Sequence, residues 1–171
     1  MTTRPELADL LPALAGVLAE AREAPSGDAE RAAVARFLDG LLTVGRALTA
    51  HPELRAEADV ALFLQESGSQ LTFLHTAVDH YRAMAAHESY GAWEDGEWER
   101  LLERRSSLQL AGDLYRGTPY DGYADILELD DLDELIRDRG RSEGFPPSHP
   151  VPPGIPTSHW WWWWPGSPPG P

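Results

Sequence analysis

The chain has 171 residues and a formal net charge of −14, with 28 acidic side chains against 14 basic ones, all of them arginine. That acidity opposes nucleic-acid phosphates and anionic lipid surfaces alike. With no cysteine, disulfides, thiolate metal sites and cysteine nucleophiles are excluded, while an apolar content of 42% is enough for one domain with a core.

The first residues, Met1 to Glu6, lack the charged-then-apolar pattern of a signal peptide. No apolar run reaches the roughly 20 residues needed to span a bilayer. A cytoplasmic protein without a membrane span is expected, and the Ala/Arg/Gly/Pro bias without lysine has the look of GC-rich bacterial coding.

In chain order, a first helix is predicted from Pro5 to Ala24, on the stripe Leu7, Leu10, Leu11, Leu14, Val17 and Leu18. Pro12 marks a kink or a later start. Pro25-Ser26-Gly27-Asp28 reads as a turn that caps a second helix running to about Ala50. Its stripe is Val34, Phe37, Leu38, Leu41, Leu42, Val44 and Leu48, with Gly40 and Gly45 permitting close helix packing. His51-Pro52 ends it, since the residue before proline leaves the helical region.

A long third helix is predicted from Pro52 to Ser89, on Val60, Leu64, Leu71, Leu74, Val78 and Tyr81, with a kink or break at Ser67-Gly68-Ser69. A fourth runs from Trp93 to Arg116, with Trp98, Leu101, Leu102, Leu108, Ala111 and Tyr115 inward and Gly117-Thr118-Pro119 as its stop. A fifth covers Asp121 to Arg139. Its apolar stripe is Ile126, Leu129, Leu132, Leu135 and Ile136, and its acids, Asp133 among them, form a solvated face. Arg137 and Arg139 sit at its C-terminal end, where the helix dipole favours them.

The fold class is therefore all-α: an antiparallel bundle of four to five helices over residues 1–140. Residues 141–171 form a Pro-rich, Trp-rich tail, extended, disordered or docked on the bundle. Ten of the 15 prolines fall between Pro146 and Pro171, which favours extended polyproline II and disfavours a packed core there.

Candidate chemistry is sparse. His75 and Asp79 share a helix face at i, i+4, with His80, Glu66 and His87 near them in sequence, which gives a metal or acid–base reading. The Glu-x-x-His signature of bundle metal sites is missing, so a solvated His/Asp pair is the better reading. Asp130-Asp131-Leu132-Asp133-Glu134 lacks the glycine and ligand alternation of a calcium loop. Trp93 and Trp98 read as staples of the fourth helix. Pro147 to Pro150 and Pro150 to Pro153 each satisfy PxxP, a weak signal in any proline-rich tail. No catalytic residue, metal ligand or cofactor is assigned.

The tail holds the strongest feature. Trp160, Trp161, Trp162, Trp163 and Trp164 follow His159 without interruption. Together they offer roughly 750–1250 Å² of buriable surface, near the share of one partner in a standard protein interface. Something has to cover such a patch: the bundle itself, a second copy, or another protein. The expected function is a non-enzymatic interaction protein whose partner-binding residues are Ile155, Pro156, His159 and Trp160 to Trp164. The partner is another protein or a second copy, not nucleic acid.

Residues 121–139, Asp-Gly-Tyr-Ala-Asp-Ile-Leu-Glu-Leu-Asp-Asp-Leu-Asp-Glu-Leu at their start, carry a further suggestion. This stretch resembles the acidic amphipathic leader helices of precursors of ribosomally made modified peptides. The resemblance implies that the Trp-rich tail is a core peptide. A third alternative is a helical-bundle enzyme or metal-binding protein using the His75/Asp79/His80 face.

Overall fold

Stripes of Leu, Ala and Val at helical spacing close on one another in the computed structural model, which describes residues 4–24, 27–71, 74–87, 96–121, 128–143 and 151–164. Among these residues are six α-helices: α1 (Arg4–Glu23), α2 (Asp28–Ala50), α3 (Ala58–Gly68), α4 (Leu74–His87), α5 (Glu97–Tyr115) and α6 (Leu129–Glu143). Short 3-10 turns cover Pro52–Ala56 and Trp160–Trp162. The described residues include no strand, so the chain is all-α.

α2 is the central column, packed most extensively against α1 and α5, while α4 packs on α6. Its predicted stripe is buried throughout, with Phe37, Leu38, Leu41 and Val44 at 0% exposure. Glu20 pairs with Arg36 at 2.8 Å and Gly40 faces Leu14, so residue numbers run in opposite directions along α1 and α2. Such antiparallel packing is what a short connection dictates. Arg104 pairs with Asp39 and Leu110 lies over Gly45, so α2 and α5, separated by a long connection, run the same way. A Cβ on Gly45 would lie 2.8 Å from Leu110; the missing side chain sets how closely these two helices approach.

Pro12 lies inside α1 without ending it. The predicted cap of α2 is different in detail: Gly27 occupies the N-cap with no side-chain hydrogen bond, and Asp28 is the first helical residue. The predicted third helix is three elements. Glu57, at φ −65° and ψ 140°, separates the 3-10 turn from α3, and the chain breaks again after Gly68. The last turn of α3 is packed tightly. Gly68 lies against the ring of Tyr120, where a Cβ has no room, and the Ser67 hydroxyl bonds Phe63 O at 2.5 Å and Tyr115 Oη at 2.7 Å.

α5 starts at Glu97, after Gly96 in the left-handed region at φ 74°, four residues later than predicted. Arg55 caps its other end, donating to the carbonyls of Leu114 at 2.5 Å and Arg116 at 3.1 Å. α6 begins at Leu129 and runs on to Glu143, beyond the predicted end. Trp93 and Ile126 lie outside the described residues. The solvated face predicted for this helix needs one correction: Asp133 is buried, at 6% exposure, because it flanks the Leu132/Ile136 stripe and meets an arginine from α5.

The tail is not a continuous extended arm. Gly154 at φ 79° lets the chain turn, with Ile155 N donating to Pro152 O at 3.4 Å. A second turn follows, closed by His159 N on Pro156 O at 3.0 Å, and leads into the 3-10 turn of tryptophans. Trp161 and Trp162 belong to the same hydrophobic core as α2 and α5, contrary to the expectation that no packed core forms in this stretch.

Candidate functional site

The site is built where the tail crosses α5 and α6. Arg105 stands on the apolar stripe of α5, three and four residues beyond Leu102 and Leu101, and is buried at 3%. It is held there by Asp133 of α6 through a two-pronged contact, Nε to Oδ1 at 2.5 Å and Nη2 to Oδ2 at 3.0 Å. Its remaining nitrogen donates to Gln109 Oε1 at 3.2 Å. Nearer the other end of the helix pair, Arg139 lies 3.7 Å from Glu97, and both are buried. The two pairs match rising numbers on α5 with falling numbers on α6, so these helices are antiparallel. Buried charges need such partners to offset the loss of water.

Ser106, the next residue, is fully buried and is the point to which the tail is tied. Trp161 Nε1 and Trp162 Nε1 both donate to its Oγ, at 3.1 and 2.8 Å, and His159 Nδ1 lies 3.0 Å from the same oxygen. A serine hydroxyl has one proton and two lone pairs, and an indole N–H can only donate. The two indoles fill the lone pairs, so the hydroxyl proton goes to His159 Nδ1. That nitrogen must be unprotonated, and the neutral ring carries its proton on Nε2, which is buried without a hydrogen-bond partner among the described residues. Hydrogen-bond arithmetic thus fixes a neutral tautomer.

The surroundings agree. Burial, and secondarily the positive charge of Arg105, push the His159 imidazole down from its ordinary 6.5 to about 4. The His159 ring stacks on Trp161 with centroids 4.7 Å apart, and the Arg105 guanidinium sits 4.1 Å from the Trp161 ring centre. Between those two values of pH the unfolded chain binds a proton that the folded chain does not. Stability is therefore complete above pH 6.5 and is lost as the pH falls toward 4, by about 3 kcal/mol in full. Denaturant unfolding at pH 7 and pH 5 checks this. The loss between them is expected to be about 2 kcal/mol smaller in His159→Asn than in the wild type; an equal pH response in both proteins contradicts it.

The predicted partner-binding residues divide into two sets. His159, Trp161 and Trp162 point inward, at 1%, 2% and 4% exposure. Ile155, Pro156, Trp160, Trp163 and Trp164 are half-buried. Arg137 covers the Trp160 ring at 4.1 Å and Arg141 approaches Trp164 at 6.0 Å. Trp160 meets both Trp161 and Trp164 edge-on, each at 5.8 Å. The outer half of the block is thus an aromatic and arginine surface on an otherwise acidic protein.

The His75/Asp79/His80 face gathers no ligand set: no group of three His, Asp or Glu side chains suited to a metal occurs among the described residues. Asp79 is exposed and pairs with Arg82 at 3.5 Å. Burial, then Arg31, lower the His80 imidazole, with Asp28 opposing them. The His87 side chain and the PxxP stretch before Val151 lie outside the described residues. Of the stretch 121–139, Leu132 and Ile136 on α6 pack fully into the core, and residues 122–127 lie outside the described residues. No described helix is long and apolar enough to cross a membrane.

Sequence reasoning missed Arg105, Ser106 and Asp133. The signal was present: an arginine followed by a serine on a stripe otherwise made of Leu101, Leu102, Leu108 and Ala111 is a polar insertion that needs partners when buried. The chain matches no protein-family model, no curated protein and no solved structure.

Proposed function

We propose that this protein is a cytoplasmic, non-enzymatic interaction protein in which the segment Ile155 to Trp164 has two roles. The inner residues His159, Trp161 and Trp162 clasp the tail to its own bundle. The outer residues Ile155, Pro156, Trp160, Trp163 and Trp164, with Arg137 and Arg141, meet another protein.

The supporting observation is the division of the block itself. Filling a groove in the bundle requires only the inward indoles, yet Trp160, Trp163 and Trp164 stay half-buried, Trp160 and Trp164 beside arginines. Trp and Arg are the residues most enriched where binding energy concentrates. Docking also fixes the outer rings before a partner arrives, so less entropy is lost on binding.

Affinity purification from native lysate with the wild type and a Trp163→Ala/Trp164→Ala double variant tests the reading. The wild type is expected to retain a specific partner that the double variant loses, with a melting temperature within about 4 °C between them. Retention of the same partners by both proteins counts against it.

A further inference from the structure

A second surface is independent of the tail. α1 and α3 enclose a groove of about 480 Å³. One wall is Ala8, Leu11, Pro12 and Ala15; the other is Asp59, Leu62, Phe63 and Glu66. Each set recurs at i, i+3, i+4 and i+7, so each wall is one helix face about 10 Å long, two turns. Leu62, at 53% exposure, is the large apolar side chain left in water among the described residues. Asp59 and Glu66 are also exposed and stand at the two ends of the wall.

Pro12 adds a polar feature. It has no N–H, so the carbonyl of Ala8 lacks the donor that an uninterrupted helix would supply. Ala8 lines the groove, which therefore combines an apolar floor, two carboxylates and a backbone acceptor. The described residues that line it include no positive charge.

We infer that this groove binds a short cationic amphipathic helix of a protein partner, with apolar side chains over Leu11, Leu62 and Phe63 and arginine or lysine at Asp59 and Glu66. Length and pattern suit helix-in-groove recognition, which reads anchors at i, i+3, i+4 and i+7. The partner is the natural source of the cation: the 13 arginines whose side chains are described all lie outside the groove. A second copy, at net charge −14, would be repelled.

The test uses the full chain and a fluorescein-labelled peptide of about 14 residues, with leucines at i, i+3, i+4 and i+7 and arginines flanking them. A glutamate counterpart and a scrambled peptide of the same composition serve as probes of charge and pattern. Fluorescence anisotropy is expected to give saturable binding of the arginine peptide alone, weakened by salt. Leu62→Asp, and separately Asp59→Asn/Glu66→Gln, should each weaken it at least about tenfold, in proteins with wild-type circular dichroism. Equal binding of the scrambled peptide, an unchanged affinity in Leu62→Asp, no saturable binding at millimolar peptide, or self-association that depends on Leu62 would each overturn the inference.

Discussion

Replacing Trp161 by alanine is expected to cost about 3–5 kcal/mol, the range for truncating a fully buried aromatic side chain. Three contacts make this position more sensitive than its neighbours. The indole fills the core beside α5, its N–H is one of two donors on Ser106, and its ring lies against both His159 and the Arg105 guanidinium. Removing it empties one lone pair of the serine, frees the imidazole from its stack and leaves the arginine facing a cavity. For a chain of this size the melting temperature should fall by about 10 °C. The helices should remain, because α1 to α5 keep their own core and a terminal segment can undock as a unit. Far-UV circular dichroism at low temperature and a calorimetric melt separate the two effects. Trp160→Ala should cost much less, since its ring is half-buried and touches mainly Arg137 and neighbouring indoles. Equal losses in the two variants would mean that the inward and outward indoles are not distinguished.

The buried Arg105–Asp133 pair should show the second large effect. Asp133→Ala strands a buried guanidinium, at an expected cost of about 3–5 kcal/mol. The double variant Arg105→Met/Asp133→Leu should recover most of that loss, because apolar residues of similar volume often replace such a pair at little cost. Recovery in the double variant carries a signature that links it to the tail. Arg105 is one cause of the lowered His159 pKa, so its removal raises that pKa and weakens the loss of stability between pH 6.5 and 4. Urea unfolding of the wild type and the two variants at pH 7 and pH 5 measures both. A double variant no more stable than Asp133→Ala would show that the pair contributes something its volume does not explain.

These effects also mark where the sequence was legible. α2 could be read directly, because Val34, Phe37, Leu38 and Leu41 recur on one face and hydrophobic burial follows that face. The break after Gly68 was visible only as a glycine between serines; the approach of Tyr120 to that glycine is a tertiary contact with no local signature. The polar residues of α5 were harder. Ser106 and Ser107 have the composition of a wet face, yet both are fully buried: indoles and an imidazole from more than 50 residues away bond Ser106, while Ser107 donates to the Glu103 carbonyl of its own helix. Asp133 reads as one acid among eight in the predicted helix from Asp121 to Arg139 and differs only in facing Arg105. In the tail the prolines suggested an extended arm, while Gly154 and the pull of the indoles toward the core favour turns. Local chemistry predicted that the tryptophans must be covered. It held no information about which surface would cover them.

Hydrogen–deuterium exchange of the segment 151–164 in the intact protein tests the clasp itself. A clasped tail predicts slow exchange at His159, Trp162 and Trp163, whose amides donate to Pro156 O, His159 O and Trp160 O, with protection that is lost in Ser106→Ala and does not depend on protein concentration. Exchange of this segment at unfolded-chain rates, or protection that appears only as concentration rises, would contradict an intramolecular clasp.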